Sequence, residues 1–190
     1  MTSFSSLDLF QESSGISTTG SDIGLNGHVT VVHKDPEGNV LSYSQYDNVI
    51  TNQGLHCATR TLFATTNGTC AMASATDDFD FIGLLADGQT ADAADVVGET
   101  VTGGGLDPAV ATTIGIDVVA AGSGTTTGNV VTGIQKTFTK VNATQAIIAG
   151  ATLQTGAADA VFATKLFTGG DVTLNENDTL QITWTITLGN

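Results

Sequence analysis

Basic residues are scarce in this sequence, and their scarcity excludes two classes of partner. The chain has 190 residues with five Lys and Arg against nineteen Asp and Glu, which gives a net charge of −14. Nucleic-acid binding needs a basic patch that displaces counterions from phosphates, and anionic lipid attracts clusters of the same sign. Five scattered cations cannot form such a patch, so we expect neither nucleic acid nor a membrane surface as a direct partner. The basic residues are Lys34, Arg60, Lys136, Lys140 and Lys165.

Long apolar runs are also lacking. No stretch approaches the roughly 18 apolar residues that a membrane-spanning helix requires. The first 26 residues are polar, without a basic start or an apolar run, and so do not resemble a signal peptide. Conventional secretion therefore has no support in the sequence.

Cysteine is rare, with one residue at position 57 and one at position 70. Two cysteines do not make a disulfide framework, although the twelve residues between Cys57 and Cys70 permit a local bridge. A metal site would need more ligands, and His56 is the only nearby candidate. Two interpretations stay open, which are buried free thiols and a single Cys57–Cys70 disulfide.

Charged residues are only 13% of the chain, and threonine, serine, asparagine and glycine supply the missing polarity. Hydrophobic residues are 41%, which is enough to fill one core. Threonine favours strands and glycine favours turns. Short runs separated by turn signals predict a mainly β protein, an antiparallel β-sandwich or jelly-roll-like fold with one short α-helix and an extended N-terminal arm. The predicted strands include a hairpin at 28–45, Phe79–Leu85, and segments at 110–120, 129–141, 144–154, 160–167 and 179–188.

The segment 179–188 shows the clearest pattern. Leu180, Ile182, Trp184 and Ile186 alternate with polar residues, which predicts a strand buried on one face. A helix at about 53–65 is predicted from Leu55, Ala58, Leu62 and Phe63 at helical spacing, with Thr51 or Asn52 as N-cap. The predicted core residues are Trp184, Ile182, Ile186, Phe81 and Leu62.

Residues 1–26 precede the predicted sandwich domain of residues 27–190. A disordered tail is one interpretation of this polar segment. A solvated tail, however, has little use for several large apolar side chains so close together. We therefore predict an extended arm that buries Phe4, Leu7, Leu9 and Phe10 on a neighbouring molecule.

A long acidic, glycine-rich loop is predicted at about 86–108. Oxygen-rich loops can bind Ca²⁺, and Asp87, Asp92 and Asp95 would be the candidate ligands. Their spacing does not fit the EF-hand pattern, so a solvated loop without metal is the preferred interpretation. We expect no other cofactor.

Signatures of catalysis are lacking. The three histidines, His28, His33 and His56, lie in no nucleophile motif, and GxSxG is absent. His28 and His33 are five residues apart on one strand and therefore point to opposite faces. The triplet Gly103–Gly105 lacks the Lys-Ser/Thr of a phosphate loop. We expect that the protein is not an enzyme.

Several segments together resemble a known class of protein. They are NGHVTVVHKDPEGNVLSYSQYDNVITNQGLHCATRTLF, then FDFIGLLADGQT with DAADVVGET, and then KTFTK, ATKLF and DTLQITWTIT. This order resembles small structural proteins of tailed bacterial and archaeal viruses, and the resemblance covers about residues 26–188. It implies a virion protein, made in the host cytoplasm, that packs as a homo-oligomer on a capsid or tail protein. Capsid decoration (cement) or fibre is the preferred role, with a tail-associated role as the alternative.

Two further hypotheses compete with a virion role. The chain could be a cell-surface filament subunit in which the arm completes a neighbour's sheet. It could also be a carbohydrate-binding module that stacks sugars on Trp184, Tyr43 and Tyr46, although the position of Trp184 among apolar residues favours the core.

Overall fold

The computed structural model describes residues 24–63, 78–89, 91–92, 100–119, 129–156 and 160–189. One helix, α1 (Asn52–Phe63), lies within this part of the chain. The strands in chain order are β1 (Gly24–Lys34), β2 (Val40–Asp47), β3 (Val49–Ile50), β4 (Phe81–Ala86), β5 (Ala109–Val110), β6 (Thr113–Val119), β7 (Asn129–Thr139), β8 (Ala146–Gln154), β9 (Val161–Leu166), β10 (Val172–Leu174) and β11 (Thr179–Gly189).

The first sheet has five antiparallel strands in the order β2-β1-β11-β7-β6. β1 and β2 form the predicted hairpin. Its turn is closed by the hydrogen bond from Gly38 N to Asp35 O at 3.0 Å, and Gly38 has a φ of 89°, which favours glycine. The Asp35 carboxylate also accepts the backbone N–H of Asn39 at 2.7 Å.

The second sheet has six strands, in the order β3-β9-β8-β4-β5 with β10 beside β8. The segment predicted as one strand at 110–120 is in fact divided between the sheets. Ala111 N bonds to Asp80 O beside β4, whereas Thr112 N bonds to Gln135 O on β7. The chain therefore crosses from the second sheet to the first between these two residues. The three-residue β10 was not among the predicted strands.

The two sheets pack face to face around one core, so the predicted mainly β sandwich is confirmed. Trp184 and Ile182 are fully buried and Ile186 is 8% exposed, as their alternation predicts. The core position predicted for Phe81 is taken by Ile82, because the pleat turns neighbouring residues to opposite faces and leaves Phe81 half-buried. Leu62 lies in α1, but its side chain is outside the described part.

Helix α1 packs against β9 and begins at the predicted cap. The Thr51 hydroxyl accepts the N–H of Gly54 at 2.9 Å and donates to the backbone carbonyl of Val161. Gly54 lies directly on β9, where a Cβ would come within 2.3 Å of Phe162 O. Cys57, one turn further on, is fully buried, whereas Leu55 is 45% exposed. The buried side of the helix is thus set by its capping contact with β9 and not by Leu55.

Strand β1 begins at Gly24, three residues before the predicted start of the domain at position 27. Residues 1–23, with Phe4, Leu7, Leu9 and Phe10, lie outside the described residues. Among the described residues, no helix has the length and apolar character needed to cross a bilayer.

Candidate interaction face

The outer side of the first sheet carries threonine and glutamine where the inner side carries the core. Residues of β11 alternate between the two sides, so Thr183 and Thr185 point outward while Trp184 is buried. Strand pairing extends this pattern across the sheet. We call these outward-facing threonine and glutamine residues the Thr/Gln face. They are Thr30, Gln45, Gln135, Thr137, Gln181, Thr183, Thr185 and Thr187.

Glutamine and threonine meet as directly opposite cross-strand pairs on this face. The Nε2 of Gln135 donates to Thr183 Oγ1 at 2.9 Å. The same contact joins Gln181 to Thr137 at 3.3 Å. A third pair, Gln45 to Thr30 at 3.4 Å, extends the arrangement to β1 and β2. Because these bonds hold the long glutamine side chains in place, the face loses little conformational freedom when something binds to it.

One row of directly opposite residues across the face lacks side chains at the end formed by β7 and β6. The row crosses all five strands as Asp47, His28, Thr185, Gly133 and Gly115. A Cβ added at either glycine would meet nothing within 4 Å, so the two residues leave a gap in the side-chain layer. The β7–β6 end of the row is therefore a shallow depression that a partner's side chains can enter.

The margin of the face at β2 is apolar. Val40, Leu41 and Tyr43 are 57%, 54% and 59% exposed, and β2 is an edge strand whose outer side pairs with none of the described strands. Exposed apolar residues on an edge strand mark a surface that another chain can cover. Sheet edge and face thus offer one continuous surface.

The two histidines of β1 point to opposite sides, as predicted, but their contacts differ. His28 Nδ1 lies 2.6 Å from Asp47 Oδ1, and both side chains are largely exposed, so this pair contributes little stability. His33 is buried and its Nε2–H donates to Asp178 Oδ2 at 3.1 Å. The sequence predicts His33 as a polar residue at a strand end. Its buried partner, Asp178, is 145 positions away in the sequence, so the spacing of residues does not predict this contact.

Burial raises the pKa of Asp178, but the N–H of Asn175 and the His33 side chain outweigh it, so the pKa of this carboxyl lies below its usual value. The carboxylate accepts Asn175 N at 2.8 Å and Asn175 Nδ2 at 3.3 Å. These contacts fix the turn that leads into β11. The pair is thus a structural element at one end of the sandwich.

Two of the three candidate Ca²⁺ ligands lie within the described residues. Asp87 follows β4 in an exposed turn, Asp92 is exposed, and Asp95 lies outside the described part of the chain. In the ranges that the structure describes, no three His, Cys, Asp or Glu side chains are grouped closely enough to hold a metal ion. The solvated loop without metal stays the preferred interpretation, and Ca²⁺ binding stays its alternative.

Cys57 is buried and disulfide-bonded. Cys70 lies outside the described residues. Of the two interpretations left open by the sequence, the state of Cys57 agrees with the disulfide.

The aromatic residues do not form a sugar-stacking platform. Trp184 is fully buried, and the ring of Tyr46 stacks on Phe167 with centroids 5.6 Å apart. Only Tyr43 of the three predicted platform residues is exposed. Sugar stacking by Trp184 is therefore excluded by its position in the core.

Comparison with known proteins gives no relatives: no family model, curated protein or solved structure matches this chain.

Proposed function

We propose that this protein is a non-enzymatic virion structural subunit, a capsid decoration or fibre protein that assembles as a symmetric homo-oligomer on a capsid or tail protein. The supporting observation is the Thr/Gln face. It is a broad sheet surface on which three Gln–Thr pairs are hydrogen-bonded across strands, and it continues into an apolar margin. Interface centres are poor in charged residues, and this face has the same character.

Net charge favours this face for contact between copies. A chain of net charge −14 repels a second copy wherever carboxylates face each other. By strand register, the ionisable residues of the face lie at its ends, with His28, Asp47 and Asp117 towards one end and Lys34 at the other. Two copies can therefore approach through the centre without placing like charges in contact.

The dimensions of the face are compatible with part of a stable interface. Five strands at ~4.8 Å spacing and seven residues along β11 give a patch of roughly 400 Å². A standard interface buries about 800 Å² on each partner. We infer that the contact also covers the apolar margin at Val40, Leu41 and Tyr43.

Assembly can be tested with one charge placed on the face. Thr183→Lys introduces a cation at the centre of the face, where burial against a second copy would be costly. Leu55→Lys is the matched control, since Leu55 is an exposed apolar residue on α1, away from the face. Light scattering coupled to gel filtration should show an oligomer for the wild type and for Leu55→Lys, and a monomer for Thr183→Lys. A wild-type chain that stays monomeric and does not bind virus particles would refute the proposal.

A filament subunit assembled by strand donation is the second candidate, and the exposed edge of β2 favours it. A donated strand would pair with the free side of β2 and cover Leu41 and Tyr43. Deleting residues 1–20 removes the candidate donor segment and leaves β1 complete, since β1 begins at Gly24. Loss of filaments with a folded domain would support this candidate, and intact filaments would exclude it.

A further inference from the structure

Lys140, directly after β7, is a buried cation that no carboxylate of the described residues contacts. It is 3% exposed, and its Nζ donates to the backbone carbonyl of Asn142 at 3.1 Å. An ammonium group has three N–H donors, so this bond uses one of them. Among the described residues, no carboxylate oxygen lies within 4.0 Å of Lys140 Nζ.

Two carboxylates of the segments beside Lys140, those of Asp178 and Asp107, are engaged by other groups. Asp178 is its cross-strand neighbour, since Lys140 N donates to Asp178 O at 3.0 Å. The carboxylate of Asp178, however, accepts hydrogen bonds from His33 and Asn175. Asp107, in the adjacent loop, accepts a backbone N–H of that loop at 2.8 Å. The positive charge is therefore not neutralised at contact distance by these groups.

A cavity of about 250 Å³ opens beside the ammonium group. Gly104, with a φ of 63°, lies so close that a Cβ there would be 3.3 Å from Lys140 Nζ and 2.8 Å from Asn142 Nδ2. Glycine at this position lets the loop backbone approach the charge. The polar side chains that line the cavity, besides that of Lys140, are those of Thr102, Asn142, Thr144 and Gln145.

We propose that this cavity binds a small oxyanion, a carboxylate or phosphate group, with Lys140 as its counter-ion. Buried charges in proteins are paired, and an ammonium surrounded by hydroxyl and amide groups is a suitable set of donors for such an anion. The oxyanion has two possible sources with the same chemistry. One is a free ion from solution, and the other is an acidic side chain of a second copy of this chain.

Titration of the ¹⁵N-labelled full-length protein with acetate or phosphate tests the site, with chloride at matched ionic strength as the reference. We expect saturable chemical-shift changes at the Lys140 side-chain nitrogen and at residues 102–104 and 140–145. Lys140→Met should weaken binding roughly tenfold or more. Lys136→Met removes a cation from β7, four residues before Lys140, and should bind like the wild type. If neither anion produces saturable changes in the wild type, or if Lys140→Met shows the same changes, the site does not exist.

Two further measurements complete the test. Lys140→Arg keeps the charge and should keep saturable binding, which separates loss of the site from loss of the fold should Lys140→Met not fold. Sedimentation velocity with and without acetate identifies the source of the anion. A carboxylate from a second copy predicts association that acetate weakens and that Lys140→Met abolishes. A free ion predicts binding with no change in association.

Discussion

Replacing Asp178 removes the carboxylate at the centre of a buried polar network. Asp178 is 3% exposed and accepts hydrogen bonds from the imidazole of His33 and from the backbone and side chain of Asn175. Asp178→Ala would leave the His33 N–H and the Asn175 N–H without their acceptor. Breaking a buried pair in this way costs about 3–5 kcal/mol. For a domain of this size, the midpoint of thermal unfolding should fall by about 6–20 °C.

The lowered pKa of Asp178 sets the direction in which stability changes with pH. The pKa of Asp178 in the folded protein lies below its usual value of about 3.9, so its stabilising contribution is complete above the unfolded-state pKa. This contribution is lost as the pH falls through the lower, folded-state pKa. Asp178→Asn has no carboxylate to protonate. Its free energy of unfolding should therefore decrease less between about pH 5 and pH 2 than that of the wild type.

Calorimetric or circular-dichroism melts between pH 2 and pH 7 measure both effects. Asp35→Asn is a suitable control, because the pKa of Asp35 is also lowered, chiefly by the hydrogen bond from the Asn39 side chain, but Asp35 lies in an open turn. This control should leave the unfolding midpoint at pH 7 nearly unchanged. Equal acid sensitivity of Asp178→Asn and the wild type would refute the account of the buried pair.

Three substitutions test the backbone and the core by chemical denaturation. Gly105→Ala should destabilise by about 1–3 kcal/mol, because φ is 83° and a Cβ would lie 2.1 Å from Thr139 O; Gly38→Ala, with φ of 89° but nothing within 4 Å, should cost about 1 kcal/mol. Equal effects of the two would contradict the role given to the close approach at Gly105. Trp184→Ala should cost about 3–5 kcal/mol, and the wild-type Trp184 fluorescence should be blue-shifted until the protein unfolds. A red-shifted emission from the folded wild type would place this side chain in solvent.

The β11 strand shows how much of the fold is encoded locally. Alternation of Ile182, Trp184 and Ile186 with threonine predicts both the strand and its buried face, and both are found. The N-cap of α1 was also predictable from the sequence, because the Thr51 side chain accepts the N–H of Gly54, only three residues later. Patterns that depend on neighbours in sequence were therefore predictable.

Features that depend on strand pairing were not predictable. The placement of Ile82 and not Phe81 in the core depends on which face of β4 meets the other sheet, and an apolar run does not encode this. The Thr/Gln face requires the registers of β1, β7 and β11, although the outward threonines of β11 were visible in the alternation. Lys140 looked like one of five scattered cations, and its burial follows only from the fold.

The most direct test of the proposed function is to observe whether the Thr/Gln face is covered by a neighbouring copy in an assembly. Electron cryo-microscopy of virus particles from cells that produce this protein would show whether the particles carry it, and its position and symmetry. We expect a symmetric oligomer on a capsid or tail surface, with the Thr/Gln face covered by a neighbouring copy. Particles without the protein, or an ordered copy on the particle with this face open to solvent, would contradict it.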